Sequence, residues 1–153
     1  MKLHAVSYDR VSEIPHDLVH YVAESQLGLH RGYWGSIAAG VLFDSVRVVS
    51  GKMAHDAKKR SEAFLRGSER QGVEAEVYVS LFVDLLKEGK ETNTAAIERA
   101  LRELWRPEKP SRPLPTVAEV QATCTLLKDF QRRWDAVKVG EGLTVQWKTK
   151  AAR

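Results

Sequence analysis

His16-Asp17-Leu18-Val19-His20 is the segment whose residue types and spacing bear most directly on chemistry. Two histidines four residues apart share one face of a helix, and a pair of imidazoles so placed can ligate a zinc-type ion. Glu24 lies one further turn along the same face and offers a carboxylate as a third ligand. A complete zinc site needs three protein donors and an open position or a fourth donor. His30 and His55 could add donors only if the fold gathers them. The expected reading is therefore a structural or solvent-facing histidine pair, with no metal and no cofactor.

The same five residues resemble the H-E-x-x-H element of zinc metalloproteases, which would imply a metal-dependent hydrolase built on His16, His20 and Glu24. The chain departs from that pattern at Asp17, which stands where the family has its glutamate base and is one methylene shorter. Nucleophile readings are weaker. Ser36 lies in GYWGSIAAG, which resembles a nucleophile elbow but has Ala38 where the second glycine of G-x-S-x-G belongs. The stretch also lacks a P-loop lysine, so Gly32, Gly35 and Gly40 are expected to permit close helix packing. Cys124, the single cysteine, falls on an apolar helix stripe where a thiol is inert. No enzyme activity is expected.

Basic side chains offer a different chemistry. Arg99, Arg102 and Arg106 lie within about 60° of one another on a helical wheel, opposite Ile97, Leu101 and Leu104. Lys128, Arg132 and Arg133 take the polar side of a later helix, beside Trp134, and Lys138 and Lys148 follow, the latter next to Trp147. Guanidinium groups recognise phosphate and carboxylate bidentately, and cations interleaved with aromatic rings recur in nucleic-acid grooves. Glu103 and Asp129 interrupt these faces.

Charge distribution points the same way. The net charge of the 153 residues is +4, and the segment 111–153 holds 8 basic against 4 acidic side chains, while the rest of the chain is balanced. That asymmetry suits a polyanionic partner. At 43% hydrophobic and 29% charged residues the chain reads as one globular domain, 1–153, large enough to fold without disulfides or metal. It has no apolar run of signal-peptide or membrane-spanning length, and its lone cysteine suits a cytoplasmic setting.

The elements that must hold these groups follow from periodicity. A helix capped near Ser12, with Pro15 in its first turn, runs to Leu27 and stops at Gly28. Trp34, Ile37, Ala38, Val41, Leu42, Ser45, Val48 and Val49 keep one helical face, which breaks near Gly51 and resumes with a second piece ending at Gly67. Residues 73–88 fit either a strand or a helix with stripe Val73, Val77, Leu81 and Leu85, and their length favours helix. Asn93 or Thr94 caps a helix that Pro107 ends. A proline-rich loop, 106–116, leads to a capping box, Thr116 and Glu119, and a last helix with Val120, Cys124, Leu127, Phe130 and Trp134 on one side. Residues 137–147 alternate around Gly140-Glu141-Gly142 as a hairpin would, and 149–153 read as a frayed tail. The expected fold is mainly α, a bundle of five or six helices with a small sheet formed near the termini. Trp34, Val41, Val48, Leu127, Phe130 and Trp134 are expected in the core.

One fold comparison bears on function. A strand over 73–81 followed by helices 82–88 and 94–106 would resemble a ribbon-helix-helix DNA-binding unit, although Glu74 and Glu76 would then face the DNA and repel it. The leading expectation is a non-catalytic protein that docks basic helix faces on nucleic acid or on a nucleic-acid-handling complex. An inhibitor from a phage or mobile element, similar to anti-CRISPR proteins and acting by protein contact, is a second form of it. The hydrolase and a plain assembly subunit anchored by tryptophans are the rivals.

Overall fold

The computed structural model describes residues 2–5, 13–41, 43–52, 55–104, 110 and 112–148. Within them the chain forms β1 (Lys2–Ala5), α1 (His16–Leu27), α2 (Tyr33–Ala38), β2 (Val46–Ser50), α3 (Ala57–Arg66), α4 (Glu69–Lys87), α5 (Thr94–Glu103) and α6 (Val117–Asp135). The protein is mainly helical, with one small antiparallel sheet made by β1 and β2.

Helices α1, α4, α5 and α6 enclose the core. Val19, Val22, Tyr78, Phe82, Ile97, Val120, Cys124 and Leu127 are fully or almost fully buried there. Burying an aromatic or branched aliphatic side chain is worth about 1.5–3 kcal/mol, which is why the helix faces that carry them turn inward. On α4 that principle sets the phase. Tyr78 and Phe82 join Leu81 and Leu85 of the expected stripe in the core, Val77 is half-buried, and Val73 at the other end of the stripe is exposed. Residues 73–81 are the middle of this helix, so the ribbon of the ribbon-helix-helix comparison does not form.

Termini of the helices follow local chemistry. The Asn93 side chain accepts the N–H of Ala96 at 3.0 Å and caps α5. Thr116 and Glu119 form the full capping box that starts α6. The first helix begins at His16 with Pro15 as its N-cap, not at Ser12 with Pro15 inside the first turn, and the Pro15 carbonyl accepts the N–H groups of Leu18 and Val19. The expected cap, Ser12, lies outside the described residues, as do Leu42, Pro107 and the tail 149–153.

Two larger expectations are corrected as well. The helix predicted across residues 34–49 ends at Ala38. Gly40 takes φ +99, its N–H bonds to the Ile37 carbonyl and the Val41 N–H bonds to the Ser36 carbonyl, which is a Schellman stop. Beyond it the β-branched run Val46-Arg47-Val48-Val49 is strand, paired Leu3 with Val48 and Ala5 with Val46. Of the expected core residues, Val41, Leu127 and Phe130 are buried, while Trp34, Val48 and Trp134 are half-buried.

The C-terminal hairpin is the second correction. A turn does form, with Glu141 N–H on the Lys138 carbonyl and Gly140 at φ +88, but its arms do not pair and no strand follows among the described residues. The segment lies extended on the helices instead. Leu143, Val145 and Trp147 are half-buried while Thr144, Gln146 and Lys148 are exposed, and the Tyr21 hydroxyl donates to the Gln146 carbonyl at 3.0 Å. The alternation is used for packing against helices rather than for a ladder, so the sheet joins residues 2–5 to 46–50 and not to the C-terminal segment.

Candidate functional site

Glu24 is completely buried on α1, and its carboxylate is held at the start of α2. One oxygen accepts the Tyr33 N–H at 2.7 Å, and the other accepts the Trp34 N–H at 2.9 Å and the Gly35 N–H at 3.4 Å. These are N–H groups that a helix start leaves without internal partners. The first oxygen also lies 3.1 Å from His20 Nδ1. The chain returns to this point because α1 stops at Gly28, which sits in the left-handed region at φ +66, and the turn that follows leads α2 back over α1. A Cβ on Gly32 would fall 2.4 Å from the Glu24 carboxyl carbon, and one on Gly35 would fall 2.1 Å from the His30 carbonyl oxygen. Close approach is thus the role of Gly32 and Gly35, whereas Gly40 serves the helix stop and has open space around it.

The other nitrogen of His20 faces α4. Nε2 stands 3.3 Å from Glu76 Oε1, and His16 Nε2 stands 3.8 Å from Glu76 Oε2. The two imidazole rings are 4.7 Å apart. Burial by itself disfavours the imidazolium of His20, yet the hydrogen bond to Glu24 and the charges of Glu24 and Glu76 outweigh it and raise the pKa. Tyr33 closes the site on one side, its ring 6.0 Å from that of His20 and its hydroxyl sharing a hydrogen bond with Ser45 Oγ at 3.2 Å. Burial, with the nearby charges of Asp17 and Glu24, raises the Tyr33 pKa, against a lowering by the Ser45 hydrogen bond.

The structure therefore divides the three residues expected as the alternative metal set. His16 and His20 are together, but Glu24 is engaged with His20 Nδ1 and with backbone N–H groups. Glu76 takes the position of the third donor, and the donor atoms of His16, His20 and Glu76 lie within 4.8 Å of one another. Sequence reasoning missed Glu76 as a donor because the contact depends on α1 packing against α4, which no local spacing encodes. His30 and His55 do not join the cluster. Ser36 is buried, and its hydroxyl donates to the Gly32 carbonyl at 2.6 Å, one turn back in the helix. Cys124 is buried, and burial pushes its thiol up to about 12.

The expected basic sites divide as well. Arg99 lies at the rim of an open cavity of about 480 Å³ between α4 and α5, floored by Leu81, Leu85, Ala100 and Leu104. Asp84, Glu88, Lys90 and Glu103 share that rim, so its charge is mixed. Arg102 pairs with Glu98 at 3.9 Å on its own helix, and Lys128 pairs with Glu91. Arg106 lies outside the described residues. Arg132 pairs with Asp129 at 3.1 Å one turn back, while the Arg133 guanidinium lies 4.5 Å from the centre of the Phe130 ring. Lys138 and Lys148 are exposed. Among the described residues Arg133, Lys138 and Lys148 make no ion pair. Among the expected basic residues, these three lie at the C-terminal end of α6 and in the segment after it, where Asp135 and Glu141 are exposed as well. No described helix is long and apolar enough to cross a membrane.

Compared with protein-family models, with curated proteins and with solved structures, the chain finds no match.

Proposed function

We propose that this chain is a non-catalytic binding protein that docks the basic end of α6, with the segment that follows it, on nucleic acid, free or within a nucleoprotein complex. The observation that supports the reading is the state of Arg132 and Arg133. Both are exposed in the last turn of a helix whose opposite face, Val120, Cys124, Leu127 and Phe130, is buried. The core fixes where α6 lies, so the cations sit on a rigid element at no cost to packing. Arg133 is further held by its ring contact, which leaves its N–H donors toward solvent. The Asp129–Arg132 pair is a surface pair worth only about 0.2–1 kcal/mol, so phosphate can displace the carboxylate.

Lys138 and Lys148 extend the positive surface past the helix, while Lys128 is paired with the mostly buried Glu91, Arg99 shares its rim with Asp84, Glu88 and Glu103, and Arg102 makes a surface pair with Glu98 as weak as that of Arg132. The reading belongs to a reducing, cytoplasmic setting, in which the buried thiol of Cys124 stays free. The test is binding of the full chain to a random-sequence duplex over a range of salt concentrations. Affinity should fall linearly on logarithmic axes, with a slope of about −0.9 for each phosphate met. Absence of binding at low salt contradicts the reading.

A further inference from the structure

We propose that His16, His20 and Glu76 form a binding site for a single divalent transition-metal ion of the zinc type, in which Glu24 orients His20 from behind. The inference is independent of the basic end of α6. It rests first on spacing. With metal–ligand bonds of roughly 2.0–2.1 Å, tetrahedral donors stand about 3.3–3.4 Å apart. His20 Nε2 is 3.3 Å from Glu76 Oε1 and His16 Nε2 is 3.8 Å from the other oxygen, Oε2, and one donor atom from each of the three residues lies within 4.8 Å of the others. His16 and Glu76 are the exposed members, at 51% and 61%, and rotation of their side chains can close the remaining gap.

The second support is the group behind the site. Glu24 takes the Nδ1 side of His20 at 3.1 Å, so the Nδ1 proton is directed to that carboxylate and Nε2 is directed to Glu76. A carboxylate on the far nitrogen of a ligating histidine fixes its tautomer and orientation and raises its basicity. Glu24 cannot swing away, because Tyr33 and Trp34 hold both its oxygens through backbone N–H groups. In the neutral imidazole with Nδ1 protonated, the Nε2 lone pair faces a carboxylate oxygen across 3.3 Å. Two acceptors so close call for a positive species between them, either a proton or a metal ion.

The chemistry of the donors selects the ion. Two imidazoles and one carboxylate suit zinc, cobalt or nickel, whereas magnesium and calcium take mainly oxygen donors. Three protein ligands leave a fourth position, and the exposed side of His16 and Glu76 places it toward solvent.

Co²⁺, whose visible absorption reports coordination, is the probe. The full chain is titrated with Co²⁺ near neutral pH, with stoichiometry read by equilibrium dialysis. The expected result is one Co²⁺ per chain with a tetrahedral-type spectrum, displaced by Zn²⁺ and not by excess Mg²⁺. His16→Ala and Glu76→Gln should each abolish stoichiometric binding. His16→Ala, at an exposed side chain, should leave the metal-free thermal midpoint unchanged. Glu76→Gln also removes the charged partner of His20 and does not stand alone as the control, so stoichiometry is read for both on chains shown to be folded. His55→Ala, at an exposed histidine away from the cluster, should bind as the wild type does. Glu24→Gln should weaken binding by about 10–100-fold. A wild-type chain that takes up no Co²⁺, or one whose uptake survives both His16→Ala and Glu76→Gln, overturns the proposal and leaves His20 bridged to Glu76 by a proton alone. Displacement of Co²⁺ by Mg²⁺ overturns it too.

Discussion

The Glu24 carboxylate accepts the Tyr33 N–H at 2.7 Å across a gap that only the missing Cβ of Gly32 leaves open. This contact ties α1 to α2 and orients His20 at the same time. Gly32 has φ −75, a value open to any residue, so Gly32→Ala carries no backbone strain and acts only through its clash with the carboxylate. The substitution should destabilise the fold by about 1–3 kcal/mol, as overpacking does. Glu24→Ala should cost roughly 3–5 kcal/mol, because it leaves His20 and buried N–H groups without their partner. In a double-mutant cycle the clash should vanish once the carboxylate is gone. Additive losses in denaturant unfolding would show that Gly32 is needed for another reason.

Some of this arrangement was legible in the sequence. His16, His20 and Glu24 share a helix face because spacing alone dictates it, and α1 keeps that face. Glu76 was not legible, since its approach to the histidines is a tertiary contact between helices over fifty residues apart in sequence. The run 34–49 failed for a different reason. Val41, Val48 and Val49 satisfy a helical period by coincidence, and the deciding signals were Gly40 and the density of β-branched residues after it. Capping chemistry, which acts within four residues, was readable at both Asn93 and Thr116.

The capping box predicts a pH dependence. Glu119 is held below the ordinary carboxylate range, first by the Thr116 backbone N–H and then by the Thr116 side chain. A carboxyl group whose pKa is lowered on folding contributes stability above its unfolded pKa and loses it as pH falls through the folded one. The difference in stability between wild type and Glu119→Gln should therefore be largest near neutral pH and shrink in acid below the ordinary carboxylate range. Thr116→Ala should cost roughly 1 kcal/mol and raise amide exchange at the start of α6. A difference that grows on acidification would contradict the assignment.

Cys124 should be chemically silent in the folded protein. Burial pushes its thiol up to about 12, so the thiolate is scarce at neutral pH, and α6 packing denies reagents access. Thiol alkylation should proceed only as fast as the chain unfolds, and denaturant should restore a normal rate. Rapid modification of the native protein would mean that the α6 face is open.

The core on α4 should be centred on Phe82 and should not extend to Val73. Phe82→Ala removes a wholly buried ring and should cost about 3–5 kcal/mol, while Val73→Ala, at an exposed position, should stay within about 0.5 kcal/mol of wild type. Urea unfolding of the two variants checks this, and a costly Val73→Ala would show that the core reaches the start of α4.

Charge reversal at the basic end of α6 tests the proposed docking on nucleic acid most directly. Arg132, Arg133 and Lys138 are exposed and lie outside the core, so R132E/R133E/K138E should fold as the wild type does. Binding of this variant to the random-sequence duplex should be much weaker, with the salt slope smaller by about one unit for each phosphate that the variant no longer meets. Binding with unchanged affinity and unchanged salt slope would show that these cations are only solvated surface.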